Sequence, residues 1–284
     1  MAGPQGFEAE SSFPACSKAG REGLSTIRAA PEHALVALDF DGTLAPIVSD
    51  PTQARPVEGT LETLARLAAT VGTVAVLTGR PARTAVEYTG LAELTGAAGL
   101  LVLGHYGLDR WEAATGSYHA APAPAGLAAA HAELPGVLDA ADLPPGVTVE
   151  DKGVSVAVHT RRSADPAAAM TALQGPLAAL AERHDLTVQP GRMVVELRGH
   201  GSDKGAALAA LVAEREARSV LFAGDDLGDV PAFDTVERLR AAGTPGVTVA
   251  SAGPEPVPAL SDRADLVLDG PSAVVAYLRT LVSA

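Results

Sequence analysis

The sequence predicts an α/β fold: a parallel-sheet core with helices on both faces, into which an α+β cap domain with an antiparallel sheet is inserted. In the first and last thirds of the chain, short and almost wholly apolar segments alternate with helical patterns, as is typical of parallel strands covered on both faces. In the middle third the strands alternate apolar and polar residues, which indicates sheets with one buried face. We therefore expect a leader (1–30), a discontinuous core (31–108 and 199–284) and a cap (109–198).

The first half of the core is predicted from apolar runs and helical stripes. Strand 34–39 is followed by a helix near 57–69 with an apolar stripe, and strand 73–77 comes next. Pro81 is expected at the first position of the following helix, where a missing N–H costs nothing. A third strand occupies 100–103.

In the cap, two-residue alternation runs through 154–159 and 193–198, and helices near 125–138 and 166–183 can cover the apolar side. The parallel pattern then resumes, which makes the core discontinuous in sequence. Its expected elements are helix 204–214, strands 219–223, 247–250 and 264–268, and a terminal helix from about 272.

Composition restricts the class of function. The 284 residues are 47% hydrophobic and carry a formal net charge of -13, which argues against a nucleic-acid partner but not against a small phosphorylated substrate. No apolar run reaches membrane-spanning length and no signal-peptide pattern begins the chain, so we expect a cytoplasmic protein without a membrane partner. We also expect a monomer. The leader is expected to be flexible or loosely helical, and its single cysteine, Cys16, to have no catalytic role.

Two aspartates, Asp39 and Asp41, directly follow the first strand in the string DFDGTL. Residues of one parity share a face of an extended segment, so both carboxylates can point the same way. Such a pair indicates a divalent metal ion, acid/base chemistry, or both. Taken alone, the pair is equally typical of a turn or a helix cap.

Further polar residues follow other core strands, at the edge where open α/β sheets bind ligands. Thr78 follows the second strand, and Lys204 begins a helix. The turn after a later strand carries Asp225, Asp226 and Asp229. Together with the first aspartate pair, these groups suit phosphoryl transfer through an aspartyl phosphate, in which positioning and charge neutralisation dominate.

Four motifs in this order, DFDGTL, LTGR, DKG and GDDLGD, resemble those of the haloacid-dehalogenase-like phosphohydrolases, which implies a Rossmann-like core. Longer strings are similar to the trehalose-6-phosphate phosphatase family within that superfamily. They are LDFDGTLAPIVSDP, GHYGLDRW, EDKGVSVAVHTR and GRMVVELRGHGSDKG. The resemblance extends from about residue 33 to the end of the chain.

The resemblance implies roles for the aspartates. Asp39 would attack phosphorus, and Asp41 would protonate the leaving sugar oxygen and then deprotonate water. The cofactor Mg²⁺ would be held by the Asp39 carboxylate, the Asp41 backbone carbonyl and the Asp225 carboxylate. Either Asp226 or Asp229 would support this metal site.

The resemblance also implies contacts with the substrate, which would be trehalose 6-phosphate. Thr78 and Lys204 would hold the phosphoryl oxygens, Gly42 and Thr43 would add backbone donors, and Arg80 would join the substrate-binding set.

Sugar contacts are expected from Lys152, Arg192 and Glu196 in the cap. Glu196 shares strand parity with Val194, so it can project over the core. One departure from the family pattern is Asp109, which stands where glutamate is expected and whose shorter side chain puts its contact with a sugar hydroxyl in doubt.

Two rival functions remain open. One is a sister phosphatase acting on sucrose 6-phosphate, glucosylglycerol phosphate or mannosyl-3-phosphoglycerate, with the same core and different cap chemistry. The other is a sugar-phosphate-binding domain without catalysis, against which the intact aspartates and lysine argue.

Overall fold

The computed structural model describes residues 17–191, 193–201, 203–253 and 257–281. Over these residues the strands are β1 (Ala34–Leu38), β2 (Thr73–Leu77), β3 (Leu100–Gly104), β4 (Asp109–Glu112), β5 (Ser117–Ala120), β6 (Thr148–Asp151), β7 (Ser155–His159), β8 (Thr187–Gly191), β9 (Val194–Arg198), β10 (Ser219–Gly224), β11 (Gly246–Ser251) and β12 (Leu266–Leu268). The α-helices are α1 (Lys18–Ala29), α2 (Thr60–Thr70), α3 (Ala82–Thr89), α4 (Leu127–Ala140), α5 (Pro166–Arg183), α6 (Lys204–Glu214), α7 (Val230–Ala241), α8 (Pro258–Ser261) and α9 (Gly270–Thr280).

The larger sheet has eight strands in the order β12-β11-β10-β1-β2-β3-β4-β5. The strands from β12 to β3 pair in parallel, and β4 and β5 are antiparallel. Strand β1 lies between β10 and β2, so the residue that follows it lies near the middle of the sheet's carboxyl edge. Ligands bind at this edge in open α/β sheets.

Helices cover both faces of this sheet because its strands are apolar at consecutive positions. Leu35 joins the cluster formed with α6 and α7, whereas Val36 joins the cluster formed with α1, α2 and α9. Side chains of successive strand residues point to opposite faces, so a fully apolar strand needs both layers. The predicted α/β core with helices on both faces is confirmed.

The predicted cap boundary at residue 109 is wrong, because β4 and β5 extend the core sheet. Trp111 of β4 is buried in the core cluster and packs against Tyr118 of β5, with ring centroids 6.4 Å apart. Arg110 and Glu112, on either side of Trp111, are half-buried. An antiparallel edge strand on a parallel sheet shows the same alternation as a cap strand, which explains the misassignment.

The predicted leader is also corrected, since residues 18–29 form α1 against the core. Ser17 caps the helix by accepting a hydrogen bond from the Gly20 N–H at 3.0 Å, and its hydroxyl donates to Asp265. Leu24 and Ile27 are buried in the core cluster. Residues 1–16, which include Cys16, lie outside the described residues. Across the described part of the chain, each helix is too short or too polar to span a bilayer.

The second sheet is antiparallel, in the order β6-β7-β9-β8, and α4 and α5 cover one of its faces. Val195 and Leu197 point into that apolar layer. Glu196 lies between them in β9 and therefore projects from the opposite face, where it pairs across the sheet with Ala157 and Gln189. The predicted α+β unit with an antiparallel sheet is confirmed.

Candidate active site

Asp39 is fixed at the carboxyl end of β1 by the backbone on both sides of it. Its N–H donates to the Ala223 carbonyl of β10 at 2.9 Å, and only 4% of its surface is exposed. The chain then turns through Gly42, whose φ of 83° lies in the left-handed region that glycine adopts most easily. A Cβ at Gly42 would lie 1.9 Å from Asp225 Oδ2, so glycine here lets the loop approach that carboxylate.

Lys204 brings a buried positive charge to Asp39. It is the first residue of α6, and Asp203 caps that helix by accepting from the Ala206 N–H at 2.8 Å. The Lys204 Nζ donates to Asp39 Oδ1 at 2.5 Å and to Asp229 Oδ1 at 2.7 Å. Burial acts to lower the pKa of Lys204, but Asp229 and Asp39 outweigh it and raise that pKa well above its usual value. The side chain therefore stays an ammonium.

The turn after β10 is held together by Asp229. Its Oδ2 accepts from the backbone N–H groups of Asp225 and Asp226 at 2.9 and 3.1 Å, while its Oδ1 accepts from Lys204. The Asp226 carboxylate accepts from the Gly228 N–H at 2.8 Å, which completes a capping box. Asp229 thus orients both the lysine and the backbone of its own turn.

Three carboxylates crowd this edge of the sheet. Oxygen atoms of Asp39, Asp225 and Asp229 all lie within 4.8 Å of one another. Burial and the neighbouring Asp229 and Asp226 raise the pKa of Asp225 to about 8, and burial raises that of Asp39 despite Lys204. Hard anionic oxygens with excess negative charge are the donor set that Mg²⁺ prefers.

A second observation supports a cation here. Asp225 Oδ1 is buried and has no hydrogen-bond partner in the structure. A buried carboxylate oxygen left unpaired costs free energy, which a bound cation would recover. The residues present therefore fit a divalent metal ion. The Asp41 carboxylate is engaged by Arg80, which leaves its backbone carbonyl as the predicted ligand, and the Asp226 carboxylate accepts from the Gly228 N–H.

Arg80 forms a bidentate ion pair with Asp41. Its Nε and Nη2 donate to the two carboxylate oxygens, each at 2.6 Å, and its guanidinium also lies 5.3 Å from the ring centroid of Tyr88. Two parallel N–H···O bonds fix the carboxylate in direction as well as distance. We predicted Arg80 as a substrate contact, and the structure places it on the predicted acid/base.

Two threonines complete the core part of the site. Thr78 is buried directly after β2, and its hydroxyl accepts from the Arg80 N–H at 3.1 Å. Pro81 is the N-cap of α3 and not its first residue, a one-position correction to our prediction. The buried Thr43 hydroxyl has no hydrogen-bond partner in the structure, so it is available to a ligand oxygen.

In the cap, Lys152 and Glu196 are brought together. The Lys152 Nζ lies 3.2 Å from Glu196 Oε1, and the Ser155 hydroxyl donates to the same oxygen at 2.5 Å. Burial acts to raise the pKa of Glu196, but Lys152 and the Ser155 hydrogen bond outweigh it and lower that pKa. Arg192, the third predicted sugar contact, lies outside the described residues.

Asp109 caps a helix in this structure. Its Oδ2 accepts from the Ala82 N–H, at the start of α3, at 2.8 Å, and its Oδ1 lies 3.5 Å from His105 Nδ1. The shorter carboxylate noted in the sequence is therefore used to hold α3 behind Arg80.

The trehalose-phosphatase family model matches residues 37–265, which is most of the chain and includes the site residues described in this subsection. The chain belongs to the trehalose-phosphatase family. Trehalose-phosphate phosphatase from Mycolicibacterium paratuberculosis is 39% identical over 256 residues, covering 83% of this chain and 59% of the relative. The chain thus spans about three fifths of the length of this curated relative.

Solved structures with the same fold include the C-terminal domain of Candida albicans trehalose-6-phosphate phosphatase. It has a TM-score of 0.70 at 20% identity, covering 96% of this chain and 99% of that one. The C-terminal domain of the Candida albicans trehalose synthase regulatory protein has a TM-score of 0.67 at 13% identity, covering 96% and 100%. The fold therefore occurs in proteins named as a phosphatase and as a regulatory protein.

Sequence reasoning missed two residues of this trehalose-phosphatase-family site. Burial and the nearby Glu196 carboxylate raise the pKa of the Tyr106 hydroxyl, and the Arg198 guanidinium lies 4.3 Å from the Tyr106 ring centroid. The string GHYGLDRW drew attention to this region, but nothing in its spacing indicates a contact with a strand about ninety residues later.

Proposed function

We propose that the chain hydrolyses trehalose 6-phosphate to trehalose and phosphate through an aspartyl-phosphate intermediate. The observation that carries this proposal is the buried contact between Asp39 and the Lys204 ammonium, at the carboxyl edge of the sheet, in a member of the trehalose-phosphatase family. A fixed carboxylate beside a fixed cation is what nucleophilic phosphoryl transfer needs, since positioning and charge neutralisation dominate that reaction.

In the first half of the reaction, an Asp39 carboxylate oxygen forms a bond to phosphorus and the bond from phosphorus to the sugar oxygen breaks. Asp41 gives its proton to the departing oxygen, which leaves as the sugar hydroxyl. In the second half, Asp41 takes a proton from water, the water oxygen bonds to phosphorus, and the bond to Asp39 breaks. Phosphate leaves and both carboxyl groups return to their initial states.

The surrounding residues divide the remaining work. Lys204 neutralises charge beside Asp39, and Asp229 holds the ammonium in place. Arg80 fixes the direction of Asp41, and this ion pair must loosen when Asp41 takes up the proton that it will donate. Thr43 lies in the loop after β1 and Thr78 in the loop after β2. Their hydroxyl groups would contact the phosphoryl group.

The Asp39 and Asp225 carboxylates and the Asp41 backbone carbonyl would hold Mg²⁺, and Asp229, whose oxygens accept from Lys204 and from the turn backbone, would support the site. When bound, the ion would neutralise negative charge on the phosphoryl oxygens.

The cap would recognise the sugar. Lys152 and Glu196 would contact it from the face of the cap sheet that points away from α4 and α5. Arg192 stays a predicted contact. If the cap instead fits another sugar, the same core would serve a sister phosphatase.

The function is tested by phosphate release from trehalose 6-phosphate, sucrose 6-phosphate, glucosylglycerol phosphate and mannosyl-3-phosphoglycerate, with Mg²⁺ present. We expect trehalose 6-phosphate to have the highest kcat/KM. Asp39→Asn should lower kcat at least about 10³-fold, because the amide cannot act as the nucleophile. Asp139→Asn, an exposed change in α4, is the matched control and should leave kcat unchanged.

Three results would contradict the proposal. Comparable turnover of all four esters would remove the trehalose assignment. Unchanged turnover in Asp39→Asn would rule out the covalent route. Binding of trehalose 6-phosphate without any phosphate release would favour the regulatory alternative.

A further inference from the structure

Tyr106 occupies a strained turn directly after β3. His105 and Tyr106 have φ values of 46° and 59°, in the left-handed region that residues with a Cβ rarely adopt. Two consecutive residues in this conformation cost free energy and persist only where the surroundings impose them. The turn therefore has a structural or functional reason for this shape.

Backbone hydrogen bonds tie this turn to the loop after β2. The His105 N–H donates to the Arg80 carbonyl at 2.9 Å, and the Tyr106 N–H donates to the Thr78 carbonyl at 3.0 Å. Thr78 and Arg80 are the residues placed beside the phosphoryl site and on Asp41. The position of Tyr106 is thus coupled directly to the core half of the site.

The side chain of Tyr106 extends from this loop to the cap. The Arg198 guanidinium lies 4.3 Å from its ring centroid, and burial and the nearby Glu196 carboxylate raise the pKa of its hydroxyl. A Cβ at Gly79 would lie 2.6 Å from the Tyr106 hydroxyl, so glycine at that position leaves room for the ring. One side chain therefore bridges the core loop and strand β9.

The cap residues that Tyr106 contacts are charged and buried. Glu196 and Arg198 are each 4% exposed, and Arg198 Nη2 donates to Gln189 at 2.7 Å while its Nη1 has no hydrogen-bond partner in the structure. Buried charges of this kind are sensitive to the loss of any one contact, because no water replaces it.

We propose that Tyr106 is a positioning residue that fixes Glu196 of the cap relative to Thr78 of the core, and so sets the affinity for the sugar part of the substrate. The inference rests on the proposed function for the identity of that substrate. The tyrosine hydroxyl orients the carboxylate, and the ring fixes Arg198 behind it.

Tyr106→Phe tests this inference, because it removes the hydroxyl and keeps the ring over Arg198. We expect KM for trehalose 6-phosphate to rise about tenfold, since the hydroxyl beside the charged Glu196 is lost, with kcat within about twofold. For p-nitrophenyl phosphate, which has no sugar group for the cap to bind, kcat/KM should stay within about twofold of that of the unmodified chain. Tyr118→Phe, in the edge strand β5 of the core sheet where the ring packs against Trp111, is the matched control.

Hydrogen exchange of the peptide that covers β9 gives a second readout that needs no substrate. We expect faster exchange of Glu196 and its neighbours in Tyr106→Phe than in the unmodified chain or Tyr118→Phe. An unchanged KM together with unchanged exchange would overturn the inference while leaving the proposed function intact. An equal loss with both esters would also overturn it, because the residue would then serve the core alone.

The proposed function can fail separately. If the unmodified chain prefers another sugar phosphate, the same KM comparison is made with that ester, and the exchange experiment is unaffected. A selective rise in KM and faster exchange would then still support the role of Tyr106.

Discussion

Single residues in this chain gain their properties from partners far away in sequence, and Glu196 is the clearest case. Lys152, Ser155 and Tyr106 surround its carboxylate and stabilise the charged form. Because the pKa of Glu196 is lower in the folded chain than its ordinary value of 4.5, the charged contacts stabilise the fold above about pH 4.5. That stabilisation is lost as the pH falls through the lowered pKa.

The corresponding prediction concerns Glu196→Gln. At pH 7 the variant should lose about 1–3 kcal/mol of unfolding free energy, because the half-buried Lys152 keeps its charge without the charged partner. Below pH 4.5 the loss should shrink, since the carboxyl group of the unmodified chain then becomes neutral as well. Melting temperatures from pH 3.5 to 7 measure this, with exposed Glu58→Gln as the control. A difference that stays constant over this range would contradict the assigned charge state.

For single residues, the sequence indicates which side chains take part in the chemistry of the site. It says less about which other side chains they contact. Asp39 and Lys204 could be placed at one edge because each adjoins a recognisable strand or helix. The pair formed by Arg80 with Asp41, and the contact of Tyr106 with Glu196, depend on side-chain directions in three dimensions. No spacing rule in the chain encodes either contact.

Among the elements, α1 shows how a weak sequence pattern can still give a docked helix. Gly23 allows the helix to approach β11 closely, since a Cβ there would lie 2.4 Å from the Gly246 carbonyl oxygen. Because α1 has few apolar residues, the sequence alone predicts a loosely structured leader. The backbone contact with Gly246 becomes evident only in the structure. The edge hairpin of β4 and β5 was misplaced for a related reason, because alternation shows burial on one face but not which sheet it belongs to.

Two glycine-to-alanine substitutions distinguish the effect of helix propensity on stability from the effect of packing α1 against β11. Gly136→Ala in α4, where a Cβ would meet nothing within 4 Å, should raise the unfolding free energy by about 0.5–1 kcal/mol. Gly23→Ala has the same helical gain but should lower the unfolding free energy by about 1–3 kcal/mol, because the added methyl overpacks the contact with Gly246. Chemical denaturation measures both. A stabilised Gly23→Ala variant would show that α1 is not held against β11.

For the whole molecule, the crowded carboxylates predict a response to divalent cations. Mg²⁺ at about 100 times its dissociation constant should raise the unfolding free energy by about 2.7 kcal/mol. Thermal melts with and without Mg²⁺ measure this, and removal with a chelator should reverse it. Asp225→Asn should abolish the response and Asp226→Asn should retain it, because Gly228 already engages the Asp226 carboxylate. An equal response in Asp225→Asn would place the ion elsewhere.

The contact between Lys204 and Asp39 joins residues 165 positions apart, across the whole inserted cap. During synthesis β1 and Asp39 emerge early, but Lys204 and the turn around Asp229 emerge only after the cap has been made. Contacts of such long sequence separation form slowly, since the loop between them must close first. On the proposed function, the nascent chain would gain activity only after Asp229 has left the ribosome, and a truncation between β9 and Lys204 would remove this contact while sparing the cap.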